Sequence, residues 1–126
     1  MASNRIDKCF AQLAQDSERA FIPYIMGGDP DFDTSLAIMH NLADNGADIL
    51  EVGFAFSDPS ADGPVIQLAH ERVLQTGMSL ALTLDLIAKL TRSLTWSFIE
   101  FFIPIFLAFD GLLFFFKFIT FSGSCN

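Results

Sequence analysis

Apolar residues open the chain at helical spacing, with Ile6, Cys9, Phe10 and Leu13 recurring every three or four positions. They predict a helix over 6–14, ended by the polar cluster Asp16-Ser17-Glu18-Arg19. Phe21 to Met26 is a short continuous apolar run, the pattern of a buried strand. Gly27-Gly28-Asp29-Pro30 predicts a turn, because glycine adopts backbone angles closed to other residues and proline ends a ladder. Asp31 or Asp33 caps the next helix, whose inward stripe is Leu36, Ile38, Met39 and Leu42. Gly46 stands where a C-terminal capping glycine belongs. Ala47 to Phe56 reads as a second strand. Pro64 suits the first turn of a third helix, where its missing N–H costs nothing. Ile66, Ala69, Val73 and Leu74 mark the core side of that helix, and Thr76-Gly77 its end. Ser79 caps a fourth helix running through Leu90. Strands alternating with helices predict an α/β fold with right-handed crossovers and a parallel sheet.

One position breaks the pattern. Glu51 lies inside the apolar strand Ile49 to Phe56. A carboxylate costs several kcal/mol to bury unless paired, hydrogen-bonded or protonated. Burial also moves its pKa toward the range where protons exchange near neutral pH. Asp58 and Asp62 follow in a loop rich in Pro and Gly. Each acid also has a plainer reading. Glu51 is then a solvent-facing edge residue, Asp62 a helix cap, and Asp58-Pro59 a turn opener. In parallel α/β folds, reactive side chains lie at the C-terminal ends of strands, which is where Glu51 and Asp62 fall. His40 and His70 sit on helical stretches and read as surface or packing residues. Gly27-Gly28 lacks the GxGxxG spacing of a dinucleotide loop.

Composition narrows the field. A net charge of −8 without a basic stripe argues against nucleic acid. Two cysteines, Cys9 and Cys125, do not make a disulfide framework, and free thiols suit a reducing cytoplasm. No basic segment followed by an apolar core opens the chain, and no Cys/His cluster has metal spacing. The character changes after Arg92. Residues 93–126 hold ten phenylalanines and three charges, Glu100, Asp110 and Lys117. The segment 98–121 is long enough for a transmembrane helix, for which about 20 apolar residues are needed. Asp110 near its middle would cost ~2.5–3.5 kcal/mol on insertion scales. The competing reading is a change of reading frame or a mis-spliced segment. The chain thus divides into 1–92 and a hydrophobic tail, 93–126.

Glu51-Val52-Gly53, Phe56-Ser57-Asp58-Pro59 and Ala61-Asp62-Gly63-Pro64 together resemble the signature of the tryptophan synthase alpha chain. Arg5-Ile6-Asp7, Ala20-Phe21-Ile22-Pro23-Tyr24, Gly28-Asp29-Pro30 and Gly46-Ala47-Asp48 extend the likeness from about Arg5 to about Lys89. Ala55 stands where that family usually has proline. The resemblance implies a TIM (β/α)8 barrel, which takes about 250 residues to close. The expectation is a partial barrel of the first two βα units, followed by an aberrant Phe-rich tail. It also implies a lyase of tryptophan biosynthesis that splits indole-3-glycerol phosphate into indole and glyceraldehyde 3-phosphate. Carried over by residue, Glu51 is the general acid/base and Asp62 binds the indole N–H. Phe21 lines the indole pocket, and Ser57, Asp58 and Pro59 belong to a loop facing the beta chain. The family assembles as an α2β2 tetramer. It needs no cofactor on this subunit, pyridoxal phosphate residing on the beta chain, and no metal. Its phosphate grip and a catalytic tyrosine come from later strands, without counterpart here. The expectation is therefore a chain inactive alone. The alternatives are a non-catalytic piece that binds the beta chain, or a small membrane-anchored protein.

Overall fold

The computed structural model describes residues 5–58, 62–94, 99–102 and 117–121. The element order is α1 (Arg5–Gln15), β1 (Tyr24–Met26), α2 (Phe32–Asp44), β2 (Ile49–Gly53), α3 (Pro64–Gln75), α4 (Leu80–Ser93), β3 (Ile99–Phe102) and β4 (Lys117–Phe121). Up to α4 this is the predicted order. Both early strands are shorter than their apolar runs, with Phe21–Pro23 and Phe54–Phe56 lying outside the assigned strands.

Each helix starts and stops for a local reason. Asp31 caps α2 by accepting from the Thr34 N–H at 2.8 Å. Gly46 follows the Asn45 cap with φ +93°, the left-handed conformation glycine tolerates. Pro64 opens α3, and the Ser79 hydroxyl oxygen accepts from the Leu82 N–H at 3.2 Å to cap α4.

β1 and β2 run parallel, pairing Tyr24 with Glu51, Ile25 with Val52 and Met26 with Gly53. Two N–H···O bonds extend that ladder: Glu51 to the Pro23 carbonyl at 3.0 Å and Gly27 to the Gly53 carbonyl at 2.8 Å. Alternate residues of β2 face opposite sides. Leu50 and Val52 pack under Met39 of α2 and Leu86, Ile87 and Leu90 of α4. Burying each such side chain contributes roughly 1.5–3 kcal/mol. Ile49, on the other side, meets Cys9 and Leu13 of α1. Glu51 lies two residues further along that second side and is half-buried. Met26, Ala69, Val73 and Met78 form a third cluster that seats α3 on the end of β1.

Four expectations need correction. Ile38 and Leu74, placed on inward stripes, are 38 % and 40 % exposed. Each neighbours a fully buried residue, Met39 or Val73, and one step along a helix turns a side chain by about 100°. Cys9 is disulfide-bonded rather than a free thiol, and Cys125 lies outside the described residues. The sheet is also not wholly parallel. Its order is β1-β2-β4-β3, with β4 antiparallel to both β2 and β3. β4 thus holds the edge of β2 where a closing barrel would add a parallel strand.

Within the candidate span 98–121, Ile99–Phe102 and Lys117–Phe121 are strands, and the rest lies outside the described residues. Among the described residues, no single helix is long and apolar enough to cross a membrane.

Candidate active site

The C-terminal end of β2, the loop after it and the first two turns of α3 meet at one place. The parallel register sets Tyr24 directly beside Glu51, on the same side of the sheet. The Tyr24 ring extends over Gly53, where any Cβ would overlap the phenol oxygen. A glycine is therefore required at 53 for the ring to lie down. Burial pushes the Tyr24 phenol up to about 12, helped by the negative charges of Asp62 and then Glu51. The charges of both carboxylates therefore act on the same phenol, although one comes from a strand and the other from just before α3.

Asp62 is held from below. Its carboxylate Oδ2 lies 2.9 Å from His70 Nε2, and the other ring nitrogen, Nδ1, accepts from the Phe56 N–H at 2.8 Å. The Gln67 side-chain amide donates to the Asp62 carbonyl at 2.7 Å. Gln67 and His70 lie one turn apart on α3, so a single helix face carries the whole support. The turn after β1 is tied to the same helix. Arg72 donates to Asp29 from Nε at 3.0 Å and from its terminal nitrogen at 2.7 Å. The Gly28 N–H donates to the buried Ser35 hydroxyl at 2.9 Å.

Of the residues expected from sequence, Glu51 and Asp62 are brought together and Phe21 is not. Phe21 is 48 % exposed and lies roughly 10 Å of extended chain before Tyr24, toward the opposite end of the sheet. Its main chain clasps Asp48: the Phe21 N–H donates to Oδ2 at 2.8 Å, and the Phe21 carbonyl accepts from the Asp48 N–H at 3.0 Å. That clasp aligns the two strands and leaves the ring away from both acids. The aromatic residue beside them is Tyr24. Ser57 and Asp58 are exposed on the loop, and Pro59 lies outside the described residues.

The sequence reads His70 as a surface or packing residue; it is 6 % exposed, so it packs, and it also bonds Asp62 and Phe56. A signal existed. Ile66, His70 and Val73 fall at i, i+4 and i+7, so His70 interrupts the apolar stripe of α3 as Glu51 interrupts β2. Among the described residues, no group of three His, Cys, Asp or Glu side chains is arranged to hold a metal ion.

Two parallel strands, each leading into a helix, are the arrangement of the opening βα units of a (β/α)8 barrel. The chain belongs to the tryptophan synthase alpha chain family, whose profile matches residues 10–109. The match runs past Lys89, where the recognisable motifs end. The alpha chain of Phenylobacterium zucineum is 54 % identical over 87 residues, covering 69 % of this chain and 31 % of the relative. That of Neisseria meningitidis is 57 % identical over 86 residues, covering 68 % and 32 %. The alpha subunit structure from Legionella pneumophila superposes with a TM-score of 0.68 at 40 % identity, covering 73 % of this chain and 35 % of that one. Tryptophan synthase from Mycobacterium tuberculosis gives 0.65 at 36 % identity, covering 68 % and 33 %. The chain thus spans about a third of the length of the curated relatives it matches.

Proposed function

We propose that this chain carries the acid/base end of an indole-3-glycerol phosphate lyase site. The observation that supports the reading most is the convergence of Glu51 and Asp62 on Tyr24 at the C-terminal edge of the parallel pair. The reaction has a simple balance. Glu51, as the carboxylic acid, gives its proton to indole C3, which leaves positive charge on the ring with the ring N–H donating to the Asp62 carboxylate. The glycerol hydroxyl loses its proton through Glu51. The C–C bond then breaks, its electrons restore the aromatic indole, and the carbinol carbon becomes the aldehyde of glyceraldehyde 3-phosphate. Two carboxylates in different surroundings divide such work, one on a strand and one on a loop. The step as written balances with these side chains, and pyridoxal phosphate belongs to the beta chain's chemistry.

Tyr24 replaces Phe21 in this reading as the aromatic wall beside the acids. Ser57 and Asp58, exposed on the loop, are offered to a beta chain. A cytoplasmic location goes with the family reading, since the thiol argument for it no longer stands. The described residues supply no phosphate grip, so the chain by itself is expected to release no indole.

The test uses a hybrid in which this chain through Arg92 is joined to the remaining two thirds of the Neisseria meningitidis relative. Indole release by the hybrid is expected, and its absence would remove the lyase reading. Glu51→Gln keeps the shape and loses the proton. It should lower turnover by about 10²–10⁴-fold while substrate still binds. Near-normal turnover would return Glu51 to a structural role. Indole release by the 126-residue chain alone would overturn the expectation of inactivity.

A further inference from the structure

We infer that His70 is a positioning residue: as a neutral ring protonated on Nε2, it accepts from the Phe56 main chain and aims the Asp62 carboxylate. The role of Asp62 as acceptor for a substrate N–H rests on the function proposed above. The geometry of the ring does not.

The tautomer follows from a donor that cannot change. The Phe56 N–H is a permanent donor, and it points at Nδ1 from 2.8 Å. Nδ1 must therefore be bare, because a proton there would set two N–H groups head to head. A neutral imidazole with a bare Nδ1 carries its proton on Nε2, which then donates to Asp62 Oδ2 at 2.9 Å. The ring is 6 % exposed, so water does not compete for either bond. One rigid ring thus ties the Phe56 main chain to the Asp62 side chain. Gln67 holds the Asp62 carbonyl from the same helix face. Main chain and side chain of Asp62 are both clamped. Among the described residues only Oδ2 of the carboxylate is engaged, which leaves Oδ1 as the acceptor for an incoming N–H.

Without these bonds the Asp62 side chain would sample many orientations of its carboxylate. Misplacing a catalytic group by about 1 Å can cost 10²-fold in rate. A side chain present only to fill the core would not need two hydrogen bonds of opposite sense. The residue types that preserve each bond differ. Glutamine places an amide N–H near the position of Nε2 and keeps the bond to Asp62. Asparagine places an oxygen near Nδ1, keeps the bond to Phe56 and does not reach Asp62.

The first measurement is nitrogen NMR of the imidazole in the 126-residue chain. The expected spectrum at neutral pH shows a protonated Nε2 and a bare Nδ1. A proton on Nδ1, an imidazolium, or the averaged pattern of a free histidine would overturn the inference. The second measurement is kinetic, in the hybrid enzyme. His70→Gln should keep kcat within about 3-fold, and His70→Asn should lower kcat by about 10–100-fold with KM little changed. In an Asp62→Asn background, His70→Asn should have no further effect on kcat, because it acts only through Asp62. Equal losses in both His70 variants, or a full loss from His70→Asn on top of Asp62→Asn, would make His70 merely structural. A hybrid that releases no indole at all would count against the lyase reading, while the NMR still decides the ring's role.

Discussion

Glu51 and His70 illustrate the same rule at the residue scale: a polar side chain inside an apolar stripe either has partners or has work. Glu51 was legible because a two-sided apolar strand tolerates no carboxylate without reason. His70 was less so, since a helix stripe is wide and histidine packs well. Tyr24 could not be picked out at all, because its importance lies in the register that sets it beside Glu51. It yields a clean prediction, as the chain has one tyrosine. The phenolate should appear in ultraviolet absorbance with a midpoint of about 12 instead of the ordinary 10. Asp62→Asn should lower that midpoint more than Glu51→Gln, since the Asp62 charge raises it more than the Glu51 charge does. The sign for stability follows. The folded state holds this proton more tightly, so its contribution is whole below pH 10 and is lost as pH rises toward 12. An ordinary midpoint in the folded chain would show that Tyr24 does not sit between the acids.

At the scale of elements, caps and stripes were readable because they are local. Ser79 was recognised three residues ahead of the amide it accepts from, and the structure shows that bond to Leu82. Ser79→Ala should destabilise the fold by ~1 kcal/mol in denaturant titration, with the same slope as the parent. No change in midpoint would mean that α4 is held only by Leu86, Ile87 and Leu90. Strand ends were less readable. The apolar runs continue past both strands because Phe54 packs against the core while its backbone has already left the ladder. Hydrophobicity reports burial, and only hydrogen bonding decides where a strand stops.

At the scale of the whole molecule, β2 is paired on both edges, by β1 in parallel and by β4 in antiparallel sense. Amide exchange can test that arrangement. In the full chain, the amides of Ile49–Gly53 that face β4 should be protected. In a chain ending at Arg92 they should exchange freely, and the bare edge should promote association. Equal protection in the two chains would show that the pairing with β4 contributes nothing. By composition the tail reads as a hydrophobic segment set apart from residues 1–92. Two of its stretches are strands, β4 pairing with β2 and β3 with β4.

The helices, the two early strands and their parallel sense were already written in the sequence, which also singled out Glu51 and Asp62 as candidate acids. Those follow from side-chain period, capping residues and the handedness of strand–helix–strand crossovers, all properties of neighbouring residues. The tertiary structure decided which residues meet. The clasp between Phe21 and Asp48 aligns the strands and withdraws Phe21 from the site, while the register beyond it delivers Tyr24 to Glu51. The packing of α3 on Met26 brings His70 to Phe56 and Asp62. The antiparallel β4 depends on which free edge a distant apolar segment finds. Such pairings arise from long-range contacts that no local period encodes.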